Sequence, residues 1–232
     1  MARSIEAAFE REVRRAVRPY TAPILFLYDV GVYDLWNPYV WRCPSERVMA
    51  FYRRHVREVH LEAGCGTGYL PDHCGPKQAW QQRGTGTLTL LDFSPSSLRW
   101  SEKRLHAVRP ATLRHNLFEP LPAAAGQFDS ICLNYVLHCL PGDFERKGAV
   151  IGHLKQALRP GGVLFGSTIL GNDETPGNLG KRMLDFYNLI GSFHNAHDTK
   201  RGLVDALSRH FPHVHCEVEG AVALFAASDA PL

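Results

Sequence analysis

The stretch VHLEAGCGTGYL, residues 59–70, joins a short apolar run to an acidic residue and three glycines at alternate positions, ahead of a helix-like segment. Gly64, Gly66 and Gly68 lack side chains where the backbone must turn tightly and approach a ligand. Because ligands of open α/β sheets bind outside the carboxyl ends of strands, this turn predicts a ligand cleft. A phosphate-binding loop needs a lysine after the glycines, and a dinucleotide fingerprint needs glycine at position 69, which is Tyr69.

Two acidic residues indicate which ligand suits the turn. The Glu62 carboxylate, two residues before the first glycine, would repel a pyrophosphate but attract the cationic amino group of a methionine moiety. Asp92 ends the apolar run in TLTLLDFSPSSL, residues 87–98, and can accept hydrogen bonds from two ribose hydroxyls. Phe93 is placed to pack on an adenine ring. Dinucleotide folds also use an acid here, so Asp92 alone does not discriminate.

The alternation of short apolar runs with helix-like stretches after Val59 predicts an α/β fold, a parallel sheet with helices on both faces. The predicted strands are 59–63, 87–92, 112–116, 128–134 and 162–167, and the predicted helices are 69–80, 96–107, 137–142 and 144–158. Two further β-like runs, HVHCEVE and AVALFAA, flank Gly220 and predict a closing antiparallel pair. Aromatic residues and prolines before Val59 predict an N-terminal helical cover over residues 1–57. Because no long polar linker follows it, we expect this cover to be part of the same domain as the sheet.

Five segments of the chain resemble the motifs of class I S-adenosylmethionine-dependent methyltransferases, in the same order and at about the same spacing. They are LEAGCGTGYL, LLDFSPSSL, HNLFEPLP, FDSICLNYVLHCLP and LKQALRPGGVLFGST, and the last carries the LxPGG signature of the small-molecule branch. The resemblance covers about residues 59–170. It implies a Rossmann-like, seven-stranded, mostly parallel sheet with an antiparallel last strand pair. Residues 58–232 would then form the methyltransferase domain, with a substrate-side insertion at about 171–211.

The resemblance also implies the cofactor S-adenosyl-L-methionine and the residues that bind it. The predicted cofactor residues are Glu62, Gly64, Gly66, Gly68, Asp92, Phe93, Asn116, Leu117 and Asn134. Asn116 stands where the family usually has aspartate.

Two residues after the fourth predicted strand are candidate catalytic groups. His138 could act as a general base, since an imidazole with an unperturbed pKa is partly neutral at working pH. The alternative, which the sequence favours no less, is a histidine that packs against the sheet or holds a loop. Tyr135 has the same two interpretations and is the weaker proton acceptor, since a phenol titrates near pH 10. Methyl transfer from a sulfonium chiefly needs alignment and exclusion of water, so a base is optional.

Candidate substrate residues fall in two segments. Tyr33, Trp36 and Trp41 lie where family members place a helical lid, and core packing is the alternative. Phe193, His194 and Asn195 lie in the segment GSFHNAHD, which is interpreted either as a substrate-facing loop or as surface polarity. No metal is predicted, because too few ligands converge there.

Composition limits the remaining possibilities. The six cysteines form no CxxC pair and the N-terminus does not resemble a signal peptide, so we expect a cytoplasmic protein. The net charge of +3 and the absence of a long apolar run argue against nucleic acid and membrane partners. A monomer or homodimer is expected.

The sequence thus predicts a small-molecule methyltransferase, with an oxygen acceptor favoured over nitrogen, carbon or sulfur. Two alternatives remain open: an RNA methyltransferase, and a cofactor-binding regulatory subunit without turnover.

Overall fold

The computed structural model describes residues 29–84, 87–123, 127–171 and 177–232. The part of the predicted cover before Asp29 lies outside these ranges. Within them, one sheet contains the strands β1 His60–Ala63, β2 Leu88–Asp92, β3 Ala111–Arg114, β4 Phe128–Asn134, β5 Leu158–Ile169, β6 His213–Glu219 and β7 Val222–Ser228.

The sheet has the order β3-β2-β1-β4-β5-β7-β6. Strands β1 to β5 pair in parallel, whereas β7 runs antiparallel to both β5 and β6. The predicted fold class is therefore confirmed, including the antiparallel closing pair. Strand order reverses between β1 and β4, and the carboxyl ends of these strands flank the place where such sheets bind ligands.

The helices surround this sheet. They are an N-terminal π-helix Val30–Val40, then α1 Ser45–His55, α2 Tyr69–Cys74, α3 Lys77–Arg83, α4 Pro95–Arg104, α5 Phe144–Gln156, α6 Gly177–Leu189 and α7 Lys200–Ser208. No helix within the described ranges is long and apolar enough to cross a membrane.

The two sides of the sheet bury separate apolar cores. In β4, the side chains of Ile131 and Leu133 join a core with α5 and α7, while Cys132 joins a core with the π-helix, α1 and α6. This alternation follows from the two-residue period of a strand. It explains why the apolar runs of the central strands are continuous, because both of their faces are covered.

Several predicted boundaries differ from the structure. The predicted helix 69–80 is two helices, since Pro76 interrupts it and Trp80 packs so closely that a Cβ on Gly75 would lie 2.3 Å from its ring. The predicted helix 137–142 is only a 3₁₀ turn, Leu137–Cys139. Strand β5 begins before its predicted start, because Leu158 pairs with Phe128 ahead of an irregularity in the register.

Candidate active site

The glycine turn after β1 holds three residues in the left-handed region, with φ of 78° at Gly64, 50° at Gly66 and 72° at Gly68. A Cβ on Gly64 would lie 2.4 Å from a Val136 methyl, and one on Gly68 would lie 3.0 Å from Ser101. A Cβ on Gly66 would meet no atom within 4 Å. The outer two glycines thus permit close packing, and the middle one leaves space above the turn.

That space belongs to a cleft of about 1020 Å³, which includes its open mouth. Of the nine predicted cofactor residues, only Gly68 is not in the cleft lining. The lining residues are Val32, Tyr33, Glu62, Gly64, Cys65, Gly66, Thr67, Tyr69, Leu70, Pro71, Leu91, Asp92, Phe93, His115, Asn116, Leu117, Asn134, Tyr135, Val136, Cys139, Leu140 and Pro141.

Asp92 lies at the carboxyl end of β2, against the glycine turn. Its Oδ2 accepts a hydrogen bond from the Gly66 amide at 3.1 Å, and its Oδ1 accepts one from the Ser94 amide at 2.8 Å. Burial among the cleft walls raises the pKa of Asp92 from 3.8 to about 6. The backbone amides oppose this rise but do not cancel it.

Glu62 on β1 is 3% exposed and also reaches the cleft. Its Oε2 accepts hydrogen bonds from the Tyr52 hydroxyl at 2.7 Å and from His60 Nε2 at 3.0 Å. Both donors bind the same carboxylate oxygen, so the buried side chain of Glu62 is held in place where it lines the cleft. The site therefore presents a carboxyl group that suits a cationic ligand group.

The residues expected around adenine lie after β2 and β3. Arg114 lies over the Phe93 ring, 5.6 Å from its centroid. In the Asn116 side chain, Oδ1 accepts a hydrogen bond from the Phe118 main-chain amide at 3.2 Å, and Nδ2 donates to Glu119 Oε1 at 3.3 Å. These contacts fix the loop without filling the cleft.

The cleft fits S-adenosylmethionine by the chemistry of its donors and acceptors. Gly66 leaves an open cradle, Glu62 offers a carboxylate to an ammonium group, and Asp92 offers one to a pair of hydroxyls. Phe93 and Leu117 supply apolar walls for a planar base.

The two candidate catalytic residues are placed differently. Tyr135 lines the cleft and has a φ of 55°, a conformation that non-glycine residues rarely adopt and that is concentrated at functional sites. His138 is outside the cleft lining and 3% exposed. Its Nδ1 accepts a hydrogen bond from the Ile169 amide at 3.3 Å, and its ring packs edge-on against Phe193 at 4.4 Å.

Burial and the nearby Lys147 charge lower the pKa of His138 to about 3. An imidazole in this place accepts a structural hydrogen bond and stays neutral at working pH. The geometry thus favours the packing interpretation of His138, and its role as a base stays a prediction.

The lid residues are also divided. Tyr33 lines the cleft and stacks on Tyr69 with ring centroids 4.1 Å apart. Trp36 donates a hydrogen bond to the Tyr187 hydroxyl at 3.1 Å, and Trp41 is buried against Phe193. Neither tryptophan is in the cleft lining, so only Tyr33 of the three predicted residues meets the cleft.

The segment predicted to face the substrate is instead tied to α5 and β5. Buried Lys147 forms an ion pair with Asp198 at 2.6 Å and donates to the His194 carbonyl oxygen at 2.9 Å. Asn195 is fully buried and donates to the Ile169 carbonyl oxygen. Phe193, His194 and Asn195 therefore lie outside the cleft lining, and their substrate role stays a prediction.

The sequence interpretation missed several cleft residues beyond the glycine turn, and it missed the side chains that are hydrogen-bonded to Glu62. Tyr69 and Leu70 follow directly after the glycine turn, and this position was a usable signal. His60 and Glu62 are polar residues two apart on a fully buried strand, so they share one face. That pattern predicts a polar cluster, whereas the Tyr52 contact depends on tertiary packing.

Asp29 joins the N-terminal π-helix to the cofactor end of the cleft. Its carboxylate accepts hydrogen bonds from the Thr67 hydroxyl and from Arg104, each at 2.5 Å. The π-helix thus starts on the glycine turn itself.

Comparison with known proteins shows the family to which the chain belongs. Residues 61–164 match the family model described as a methyltransferase domain. The chain is 34% identical to demethylluteothin O-methyltransferase of Streptomyces thioluteus, over 90% of this chain and 88% of that protein. It is 32% identical to the physcion biosynthesis cluster O-methyltransferase of Aspergillus chevalieri, over 92% of this chain and 94% of that protein.

A solved structure has the same fold. The N-methyltransferase NodS from Bradyrhizobium japonicum, in complex with S-adenosylhomocysteine, superposes with a TM-score of 0.56 at 15% identity, over 94% of this chain and 95% of NodS. Sequence identity to the curated relatives extends over nearly the whole chain. The chain belongs to the class I S-adenosylmethionine-dependent methyltransferase family and is an enzyme that methylates a small molecule.

Proposed function

We propose that this methyltransferase transfers its methyl group to a hydroxyl oxygen of an apolar, aromatic small molecule, such as a phenol. The observation that carries the proposal is the composition of the cleft beyond the glycine turn. There the walls are the stacked rings of Tyr33 and Tyr69, together with Tyr135, Leu140 and Pro141. In the described part of the chain, no lysine or arginine lines the cleft, so the lining favours an uncharged aromatic acceptor.

The name of the Streptomyces relative supports oxygen as the acceptor atom, since that protein is an O-methyltransferase. Support for a small acceptor over RNA comes from the absence of lysine and arginine in the described lining of the cleft and from the small net charge of +3. The six cysteines are all free thiols, which suits the reducing cytoplasm where we place the enzyme. We propose a monomer or homodimer.

Different residues of the cleft would bind different parts of the cofactor. Glu62 would hold the α-amino group, Asp92 the two ribose hydroxyls, and Phe93 and Leu117 the faces of adenine, with Asn116 at its edge. The bound cofactor supplies an activated methyl group on a sulfonium. The chain's own task is then to align the acceptor oxygen and exclude water, which accounts for large rate factors without a base.

In the transfer, an oxygen–carbon bond forms as the carbon–sulfur bond breaks, the electron pair returns to sulfur, and the hydroxyl proton leaves to solvent. A phenol is a suitable acceptor because its ordinary pKa, near 10, makes the oxygen nucleophilic on loss of the proton. We propose that Tyr135 forms the wall against which the acceptor ring is held, at the end of β4. The π-helix and α1 would form the described part of the cover.

The experiment is transfer of an isotope-labelled methyl group from S-adenosylmethionine to a panel of phenols, aromatic amines, thiols and total RNA. We expect labelled methyl ethers from phenols, with activity lost in Asp92→Asn and kept in Asp205→Asn, a change at an exposed surface ion pair. Labelled amine or RNA products without methyl ethers would overturn the oxygen assignment. Cofactor binding without transfer to any acceptor would favour the regulatory-subunit alternative.

A further inference from the structure

A continuous chain of buried hydrogen bonds lies behind Glu62, on the side away from the cleft. The Arg57 amide donates to Ser130 Oγ at 2.8 Å, and Ser130 Oγ is 2.8 Å from His60 Nδ1. His60 Nε2 lies 3.0 Å from Glu62 Oε2, which also accepts the Tyr52 hydroxyl at 2.7 Å. These hydrogen bonds therefore link α1 and the strands β1 and β4 to one carboxylate oxygen.

The two ends of this series of hydrogen bonds have fixed directions. A backbone amide can only donate, so Ser130 Oγ accepts from Arg57, and a carboxylate oxygen accepts, so His60 Nε2 donates to Glu62 Oε2. Between these ends, Ser130 Oγ and His60 Nδ1 are hydrogen-bonded to each other, in the direction that the imidazole tautomer sets. Each polar group thus has a partner, and the series ends on the carboxylate.

Tyr52 adds the second donor from a different element. Its ring packs on Phe165 and His60, and the residue is 1% exposed. Burial and the charge of Glu62 raise the pKa of Tyr52 well above its usual value, so its hydroxyl stays a proton donor. The polar side chains of Tyr52, His60 and Glu62 are buried together, with His60 beside Trp80 and Phe165. Such burial is costly unless each polar group is hydrogen-bonded, as each of these is.

The two donors meet on the same oxygen, and this has a geometric consequence. Oε2 is held from behind by Tyr52 and His60, which fixes the plane of the Glu62 carboxylate at the floor of the cleft. A pre-oriented, desolvated carboxylate binds an ammonium group more strongly than a mobile one, because less side-chain entropy is lost on binding.

We propose that Tyr52 and His60 are positioning residues that aim Glu62 at the cationic α-amino group of the cofactor, so that the enzyme selects ligands with an intact amino-acid part. This inference rests on the proposed function of the cleft. It assigns to α1, which lies before the glycine turn, a part in cofactor recognition.

The test compares two ligands that share an adenosine and a sulfur atom. S-adenosylhomocysteine carries the α-amino group, whereas 5′-methylthioadenosine lacks the whole amino-acid part. Calorimetry with Tyr52→Phe, which removes one oxygen atom and keeps the ring, should show S-adenosylhomocysteine binding weakened about tenfold, the loss typical of a hydrogen bond to a charged group. Binding of 5′-methylthioadenosine should change by less than about twofold.

The matched control is Tyr187→Phe, which removes a phenol hydroxyl that accepts from Trp36 and is outside the cleft lining. It should leave the affinities for both ligands unchanged. Glu62→Gln should give a selective loss at least as large as that of Tyr52→Phe. Should Tyr52→Phe fail to fold, Ser130→Ala removes the hydrogen-bond partner of His60 Nδ1, and the same selective loss is expected.

The outcomes separate the inference from the function on which it rests. If Tyr52→Phe weakens both ligands equally, the hydroxyl is merely structural and the inference is wrong. If neither ligand is weakened, Glu62 needs no support and the inference is wrong as well. If the unaltered enzyme binds neither ligand, the assignment of the cleft to the cofactor fails first.

Discussion

If Asp92 binds the ribose hydroxyls as proposed, its raised pKa should make cofactor affinity depend on pH in a range where few carboxylates titrate. The ionised carboxylate is the stronger acceptor for two hydroxyl donors, so we expect the proton on Asp92 to leave before or during binding. With a pKa of about 6, Asp92 is almost fully ionised at about pH 7.5 and about one-tenth ionised at about pH 5. The dissociation constant for S-adenosylhomocysteine should therefore rise about tenfold between these two pH values.

Calorimetry across this range, in two buffers of different ionisation enthalpy, measures both the affinity and the protons released. Near pH 6 about half a proton should leave per ligand bound. The side chain of His115 also lines the cleft, so a variant at this position serves as the control. Asp92→Asn should bind weakly at every pH, with no proton release, whereas His115→Gln should keep the pH dependence. If Asp92→Asn keeps it, the reasoning is refuted.

The same pKa predicts an effect on stability with a definite sign. Since the folded pKa of Asp92 is raised, the folded protein without ligand holds the proton more tightly, and stability falls as pH rises from about 4 to about 6. The rise from 3.8 to about 6 corresponds to at most about 3 kcal/mol. Asp92→Asn should thus raise the midpoint of thermal unfolding at neutral pH in the absence of ligand. A lowered midpoint would show that the carboxylate stabilises the empty cleft.

Three other substitutions test separate parts of the structure. His138→Asn keeps an acceptor for the Ile169 amide but removes the imidazole, so turnover should fall by less than about tenfold with an unchanged pH profile, whereas loss of a general base would cost about 100-fold or more. Lys147→Met leaves the buried Asp198 carboxylate without its cation and should lower the free energy of unfolding by about 3 kcal/mol in chemical denaturation. The double variant with Asp198→Asn should recover part of this loss. If the losses of the two single variants simply add, the ion pair does not stabilise the fold. Gly66→Ala should fold at a cost of about 1 kcal/mol but weaken S-adenosylhomocysteine binding, because its Cβ lies over the cradle; full affinity in calorimetry would place the ligand elsewhere.

The fold was predictable because its signals are local. The glycine turn, the acid that ends β2 and the turn at Gly220 each occupy a few consecutive residues, and backbone geometry dictates what they do. Helix ends were less predictable, as at Trp80, whose ring packs into the break between α2 and α3. The close contact between Trp80 and Gly75 is a feature of the packing, and the periodicity of the sequence alone does not reveal it.

The acceptor side was harder to predict for a physical reason. Aromatic residues at helical spacing meet either a cleft or a core, and only the path of the backbone decides which. Tyr33 and Trp41 lie in the same N-terminal segment, yet Tyr33 stacks on Tyr69 in the cleft and Trp41 is buried against Phe193. His138 is a similar case, since its position after β4 is compatible with a base, and the Ile169 amide that occupies its Nδ1 comes from another strand.

The two carboxylates of the cleft are held by opposite means, and the difference bears on where the methyltransferase unit begins. Asp92 is held by backbone amides of its own turn and of the glycine turn. These donors belong to the main chain and not to particular side chains. Glu62 is held by side chains, and one of them, Tyr52, belongs to α1, ahead of the residues that match the family model. A chain starting at residue 58 would keep Gly64, Gly66, Gly68 and Asp92 but would leave Glu62 with His60 as its remaining donor of the two. The contact between Tyr52 and Glu62 therefore agrees with the prediction that the cover and the sheet form one domain, because it joins the cover to the proposed binding site.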